Sequence, residues 1–86
     1  MSKKITIYTA DNCPYCTRAK ALLQQKGVTF EEIRMSWGDE KAWADAQARS
    51  GMKTVPQIFI GEKCVGGYTD LAALEEKGEL DALLGR

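Results

Sequence analysis

Histidine is absent. None of the 86 residues is one, so an imidazole base, a His-ligated metal or a Ser-His pair has nothing to work with. A surplus of either charge is missing too. Twelve Lys and Arg balance twelve Asp and Glu, for a formal net charge of zero. Binders of nucleic acid or of anionic membranes normally carry a basic excess, so neither partner is expected. No apolar run approaches the ~20 residues that a membrane span needs. The amino-terminal Met1-Ser2-Lys3-Lys4-Ile5 leads into no stretch of signal-peptide length. A cytoplasmic protein is the expectation. Cysteine is scarce and odd in number. Three of them cannot all pair within one chain, and in a reducing compartment thiols stay free unless they do redox or metal chemistry.

What remains is the composition of an ordinary globule. Hydrophobic residues make up 44% and charged residues 28%, too apolar and too evenly charged for a disordered chain. A chain this short buries only about 60–65% of its unfolded surface, enough for one core. One domain over residues 1–86 is expected.

Glycines punctuate the sequence. Lys3 to Thr9 alternates Ile5, Ile7 and Thr9 with Thr6 and Tyr8 and reads as a strand. Pro14 to Lys26 is built of good helix formers, with Ala19, Leu22 and Leu23 on one face. Pro14 suits the first helical position and Gly27 the carboxyl-terminal cap. Val28 to Ile33 predicts a second strand, and Met35 to Gly38 a connection. Between Asp39 and Ser50, alanines recur with period two, yet alanine is the best helix former and poor in strands. A helix packing through small residues and Trp43 is expected there, with Trp37 also a packing residue. Gln57 to Ile60 and Cys64-Val65 predict an antiparallel hairpin about Gly61-Glu62-Lys63. Thr69 is placed as the cap of a helix over Asp70 to Lys77, and Glu79 to Leu84 as a last helical segment. The order is β-α-β-α-β-β-α-α.

The sharpest chemical signal is Cys13-Pro14-Tyr15-Cys16, directly after a strand and opening a helix. A cysteine there faces unpaired backbone N–H groups and the positive end of the helix dipole. Both favour thiolate, and such cysteines have pKa values lowered from about 8.5 into the ~3.5–7.5 range. The extra thiolate is nearly offset by weaker intrinsic nucleophilicity, with a Brønsted slope of about 0.4–0.5. The gain is a better leaving group when the sulfur's own disulfide is attacked, which suits a shuttle that takes and releases disulfides. Cys16 lies on the same side one turn on, within reach of Cys13. A zinc site would need ligands beyond the one remaining cysteine, and two inert buried thiols is the other plain reading. Two further segments draw notice. Thr54-Val55-Pro56 precedes an apolar strand, and X-Pro is the usual site of a cis bond. Gly66-Gly67-Tyr68-Thr69-Asp70 stands at a helix start, where free N–H groups bind carboxylates and where a simple capped loop serves equally.

Taken together, Cys13-Pro14-Tyr15-Cys16, Thr54-Val55-Pro56 and Gly66-Gly67-x-x-Asp70 make the chain resemble the glutaredoxins, of the dithiol type, over essentially its whole length. The resemblance implies an α/β, thioredoxin-like fold: a four-stranded mixed sheet with helices on both faces. It implies a cis Val55-Pro56 beside the cysteines, Cys13 as nucleophile and Cys16 as resolving thiol. Tyr15 resembles the residue flanking bound glutathione. Val55 would pair its backbone with the glutathione peptide, beside Thr54, Pro56 and Gly67. Thr69 and Asp70 match positions that hold the γ-glutamyl end. The implied activity is glutathione-dependent reduction of protein disulfides and protein–glutathione mixed disulfides in cell redox homeostasis. Glutathione is the co-substrate, no metal is expected, and the protein would act as a monomer. Reducing equivalents would reach it from an NADPH-dependent glutathione reductase, because the chain has no dinucleotide-binding fingerprint. A redoxin served by thioredoxin reductase and an iron–sulfur cluster carrier are the alternatives. Three departures stand out. Ala10 occupies a position where many members carry Lys, Trp43 one that is often Gln, Arg or Lys, and Tyr68-Thr69 one where an acidic or small residue is common. Lys53 is the candidate for the glycyl carboxylate in their place. Cys64 is read as a small, partly buried hydrophobe.

Overall fold

The computed structural model describes residues 4–85. Eight elements follow in the expected order: β1 (Ile5–Ala10), α1 (Pro14–Gln25), β2 (Glu31–Met35), α2 (Glu40–Ser50), β3 (Gln57–Ile60), β4 (Lys63–Gly66), α3 (Tyr68–Glu76) and α4 (Leu80–Leu83). The Lys3 end of the first predicted strand lies outside the described residues.

Strand pairing gives one sheet in the order β2-β1-β3-β4. β1 runs parallel to β2 and antiparallel to β3, and β3 runs antiparallel to β4, so the sheet is mixed. All six residues of the central strand β1 are buried, because helices cover both faces. The period-two alternation read from the sequence sorts side chains between them. Ile5, Ile7, Ile58 and Ile60 point into a core with Ala19 and Leu23 of α1, Leu71 of α3 and Leu80 of α4. Tyr8 and Phe59 point the other way, into a smaller core with Met35 and Ala46 of α2. Cys64 packs, partly buried, against this second core. Lys26, at the end of α1, reaches both Glu75 and Asp81 at 2.9 Å and ties the three helices of the larger core together.

Two boundaries and one side chain differ from expectation. β2 begins at Glu31, not Val28, and runs to Met35, pairing Thr6 with Glu31 through Ala10 with Met35. Val28 and Phe30 instead pack against the larger core as the chain turns back from α1. The apolar run therefore belongs to the connection. The strand itself carries Glu31, Glu32 and Arg34, charges that an edge strand keeps toward solvent to discourage pairing with another chain. α3 begins at Tyr68, and its cap is Gly67 rather than Thr69. Asp70 reaches back to accept a hydrogen bond from the Gly67 N–H at 3.0 Å, the half of a capping box that a glycine cap allows. Trp37 does not pack into a core; it is 60% exposed and stacks on half-buried Trp43 with ring centroids 4.9 Å apart.

Candidate active site

The chain leaves β1 through Asp11 and Asn12, and Asn12 adopts a left-handed φ of 57° that asparagine tolerates better than most residues. This turn sets Cys13, in extended conformation, as the cap of α1, with Pro14 in the first turn. Pro14 has no N–H to leave unpaired there. The Cys16 N–H points at the Cys13 sulfur at 3.2 Å. An amide aimed at a sulfur, together with the positive end of α1, favours thiolate over thiol. Cys13 and Cys16 are joined as a disulfide with Cα atoms 5.2 Å apart. Cys13 stays partly accessible while Cys16 is buried.

Long-range packing brings the second segment to the first. The Val55-Pro56 bond is cis, and the Val55 carbonyl oxygen lies 3.9 Å from the Cys13 sulfur. Tyr15, Thr54, Val55, Pro56, Gly67, Thr69 and Asp70 line one groove of about 480 Å³, together with Met52 and Tyr68. The Tyr15 and Tyr68 rings pack near one another in its lining, 6.1 Å between centroids. Gly66 sits at φ +118°, and a side chain there would collide with the Asp70 carboxylate, so this glycine lets α3 start close against the loop. Lys53 is exposed and is not among the groove-lining side chains.

Gln57 and Met52 were not singled out in the sequence, and Tyr68 was noted only as a departure from the family pattern. Gln57 is fully buried, and its amide donates to the carbonyls of Met52 at 3.1 Å and Thr54 at 3.0 Å. These bonds shape the loop that carries Val55. The signal was available: one polar residue heads an otherwise apolar strand immediately after a proline. Gln57→Leu keeps the volume but strands two carbonyls. A loss of about 1–3 kcal/mol in unfolding free energy is expected, measured by urea titration.

A second cleft, about 530 Å³, opens on the other side of the cysteines between Asp11, Asn12, Lys20, Glu32 and Arg34. Its charges pair internally, Lys20 with Glu32 at 3.1 Å and Arg34 with Asp11. The Thr9 hydroxyl, donating at 2.6 Å, and secondarily Lys20 hold the Glu32 carboxyl below its ordinary 4.5, against the opposing effect of burial. The folded protein thus binds this proton more weakly than the unfolded chain does. The stability contributed by this carboxylate is complete above pH 4.5 and fades as pH falls through the lower, folded value. Glu32→Gln is therefore expected to destabilise at neutral pH, and the difference from the parent protein to vanish in acid. Thermal unfolding across pH checks it.

Among the described residues, no group of three or more Cys, His, Asp or Glu gathers as a metal cluster would, and no helix is long and apolar enough to cross a membrane. The glutaredoxin sequence model matches residues 5–65. A glutaredoxin of Pseudomonas aeruginosa is 55% identical over 80 residues, 93% of this chain and 94% of that one. The solution structure of a Brucella melitensis glutaredoxin superposes with a TM-score of 0.84 at 50% identity, covering 99% of this chain and 94% of that one. The crystal structure of a buckwheat glutaredoxin–glutathione complex superposes with a TM-score of 0.86 at 27% identity, covering 96% and 77%. A cysteine pair capping α1 beside a cis-proline loop, on a thioredoxin-like sheet, thus has its sequence and structural kin in one place: this chain belongs to the glutaredoxin family of thiol–disulfide oxidoreductases.

Proposed function

We propose that the protein reduces protein–glutathione mixed disulfides and protein disulfides, with glutathione as the reductant. One observation carries the reading: the Cys13 sulfur lies 3.9 Å from the Val55 carbonyl, at the edge of a groove built to hold a short peptide. The Val55 backbone offers hydrogen bonds to a peptide lying alongside, as an added strand does. At the far end, the first turn of α3 presents amides suited to a carboxylate. There Asp70 keeps acceptor capacity for an ammonium beyond its bond to Gly67. A γ-glutamyl group carries both charges on one carbon. Tyr15 and Tyr68 supply the apolar walls. The buckwheat relative supports the same ligand, being a glutaredoxin–glutathione complex.

Chemistry then follows from the two sulfurs. The Cys13 thiolate attacks the glutathione sulfur of a mixed disulfide. A Cys13–glutathione disulfide forms, and the protein sulfur leaves as thiolate and takes a proton from water. A second glutathione thiolate attacks that bond, releasing glutathione disulfide and restoring the Cys13 thiolate. On a protein disulfide, the Cys13–substrate bond is broken by Cys16. This frees the second substrate thiol and leaves the Cys13–Cys16 disulfide, which two glutathiones reduce in turn.

The test is a pair of coupled assays. Turnover of a glutathionylated protein is expected with NADPH, glutathione and glutathione reductase. Turnover with NADPH and thioredoxin reductase alone, and none with glutathione, would assign the protein to the other redoxin class.

A further inference from the structure

We propose that the stacked Trp37–Trp43 pair is a docking platform for the polypeptide that exchanges disulfides with Cys13, gripping an apolar side chain a few residues from that polypeptide's reacting cysteine. The proposal rests on Cys13 being the exchanging sulfur and on the small thiol approaching it from the Val55 groove.

The pair is poorly explained as core. Trp37 is 60% exposed, and what it covers is another indole, 4.9 Å away and inclined by 22°. Nor does it turn its polar edge to water. Its indole N–H donates to the Asp11 carbonyl at 2.9 Å, and that of Trp43 to the Ser36 carbonyl at 2.8 Å. The part of Trp37 left facing solvent is therefore apolar ring. Stacking and both hydrogen bonds hold that ring still, so little freedom remains to be lost on binding. Large rings of this kind dominate protein interfaces.

Position decides the occupant. The carbonyl that pins Trp37 belongs to Asp11, two residues before Cys13, so the near edge of the platform stands on the order of 10 Å from the sulfur. Asp11 and Arg34 are walls of the cleft that also holds Cys13 and Cys16, and the platform continues that cleft outward. Its ion pairs are internal, Asp11 with Arg34 and Lys20 with Glu32, which leaves little charge to recruit a partner. The groove on the Val55 side is the size of a short peptide. In exchange, the attacking, central and leaving sulfurs stand nearly in line. When a thiol held in that groove attacks a Cys13–polypeptide disulfide, Cys13 is the central sulfur, so the leaving polypeptide lies on the side of Cys13 away from the groove, and Trp37 is the large apolar group exposed there. Ten ångströms is about three residues of extended chain.

The test reads an equilibrium. Cys16→Ser protein carrying a Cys13 mixed disulfide with 2-mercaptoethanol is exchanged against cysteine peptides. They differ only in Leu or Ser three residues from the cysteine, on either side. Each exchange conserves one disulfide and one thiol: the Cys13–peptide bond forms and 2-mercaptoethanol is released. The better-placed Leu peptide is expected to be favoured over its Ser partner by about tenfold. Adding Trp37→Ala should bring the ratio within about twofold, and Trp37→Phe should keep most of it. Equal constants for Leu and Ser in the parent, or a Leu preference that survives Trp37→Ala, would overturn the proposal. So would a concentration-dependent dimer that Trp37→Ala abolishes, since the platform would then serve a second copy of the chain. No glutathione enters the exchange, so failure of the glutathione reading shows separately, in the coupled assays.

Discussion

Cys13→Ser is expected to abolish thiol–disulfide exchange, by at least about 10⁴-fold in kcat/KM, on mixed disulfides and protein disulfides alike. A serine hydroxyl keeps the geometry and loses the chemistry. The Cys16 amide at 3.2 Å and the α1 terminus can stabilise a thiolate at Cys13, because a thiol is already within a few pH units of ionising. A hydroxyl is not, and no histidine exists in the chain to take its proton. Cys16 cannot substitute, being buried. NADPH consumption in the glutathione reductase assay measures the loss. Circular dichroism should show the fold unchanged, since the serine side chain can still accept at the helix cap.

Cys16→Ser is expected to divide the two activities. Reduction of a glutathionylated protein should stay within about threefold of the parent, because a second glutathione releases the Cys13 intermediate from solution. Reduction of a protein disulfide should fall by about 100-fold or more. There the Cys13–substrate intermediate has two intramolecular fates: the substrate's own second thiol can reverse the step, or Cys16 can carry it forward. Intramolecular thiols act at effective concentrations far above free glutathione. Without Cys16 the reverse step wins and the intermediate returns to its starting state. Both rates come from one protein preparation, followed by NADPH consumption. Equal losses on both substrates would place Cys16 in the fold rather than in the reaction.

The two sulfurs were legible because their chemistry is local. A cysteine that ends a strand and caps a helix meets the same amides in any tertiary setting, and a spacing of three residues keeps Cys16 within reach. The helix over Asp39 to Ser50 was legible for a similar reason: alanine propensity outweighed a misleading period of two, and Asp39 caps it. Val28 to Ile33 misled because β-branched and aromatic residues were credited to a strand, while the real β2 is an edge strand rich in charge whose place is set by pairing with β1. Thr69 misled because the cap of α3 depends on Asp70 reaching back to Gly67, and on a loop conformation that only Gly66 accepts. Trp37 was assigned to packing on residue type alone.

The amino-acid sequence by itself determined the cysteine pair that heads α1, the order of the elements and the family, since each rests on neighbours along the chain. Only the tertiary structure decided what surrounds the reacting sulfur. The contact of Cys13 with Val55 spans 42 residues, the stay between Trp37 and Asp11 spans 26, and the groove joins α1, the cis-proline loop and α3. Such meetings are set by which faces the helices bury against the sheet, and that sum over the whole core is written in no single segment.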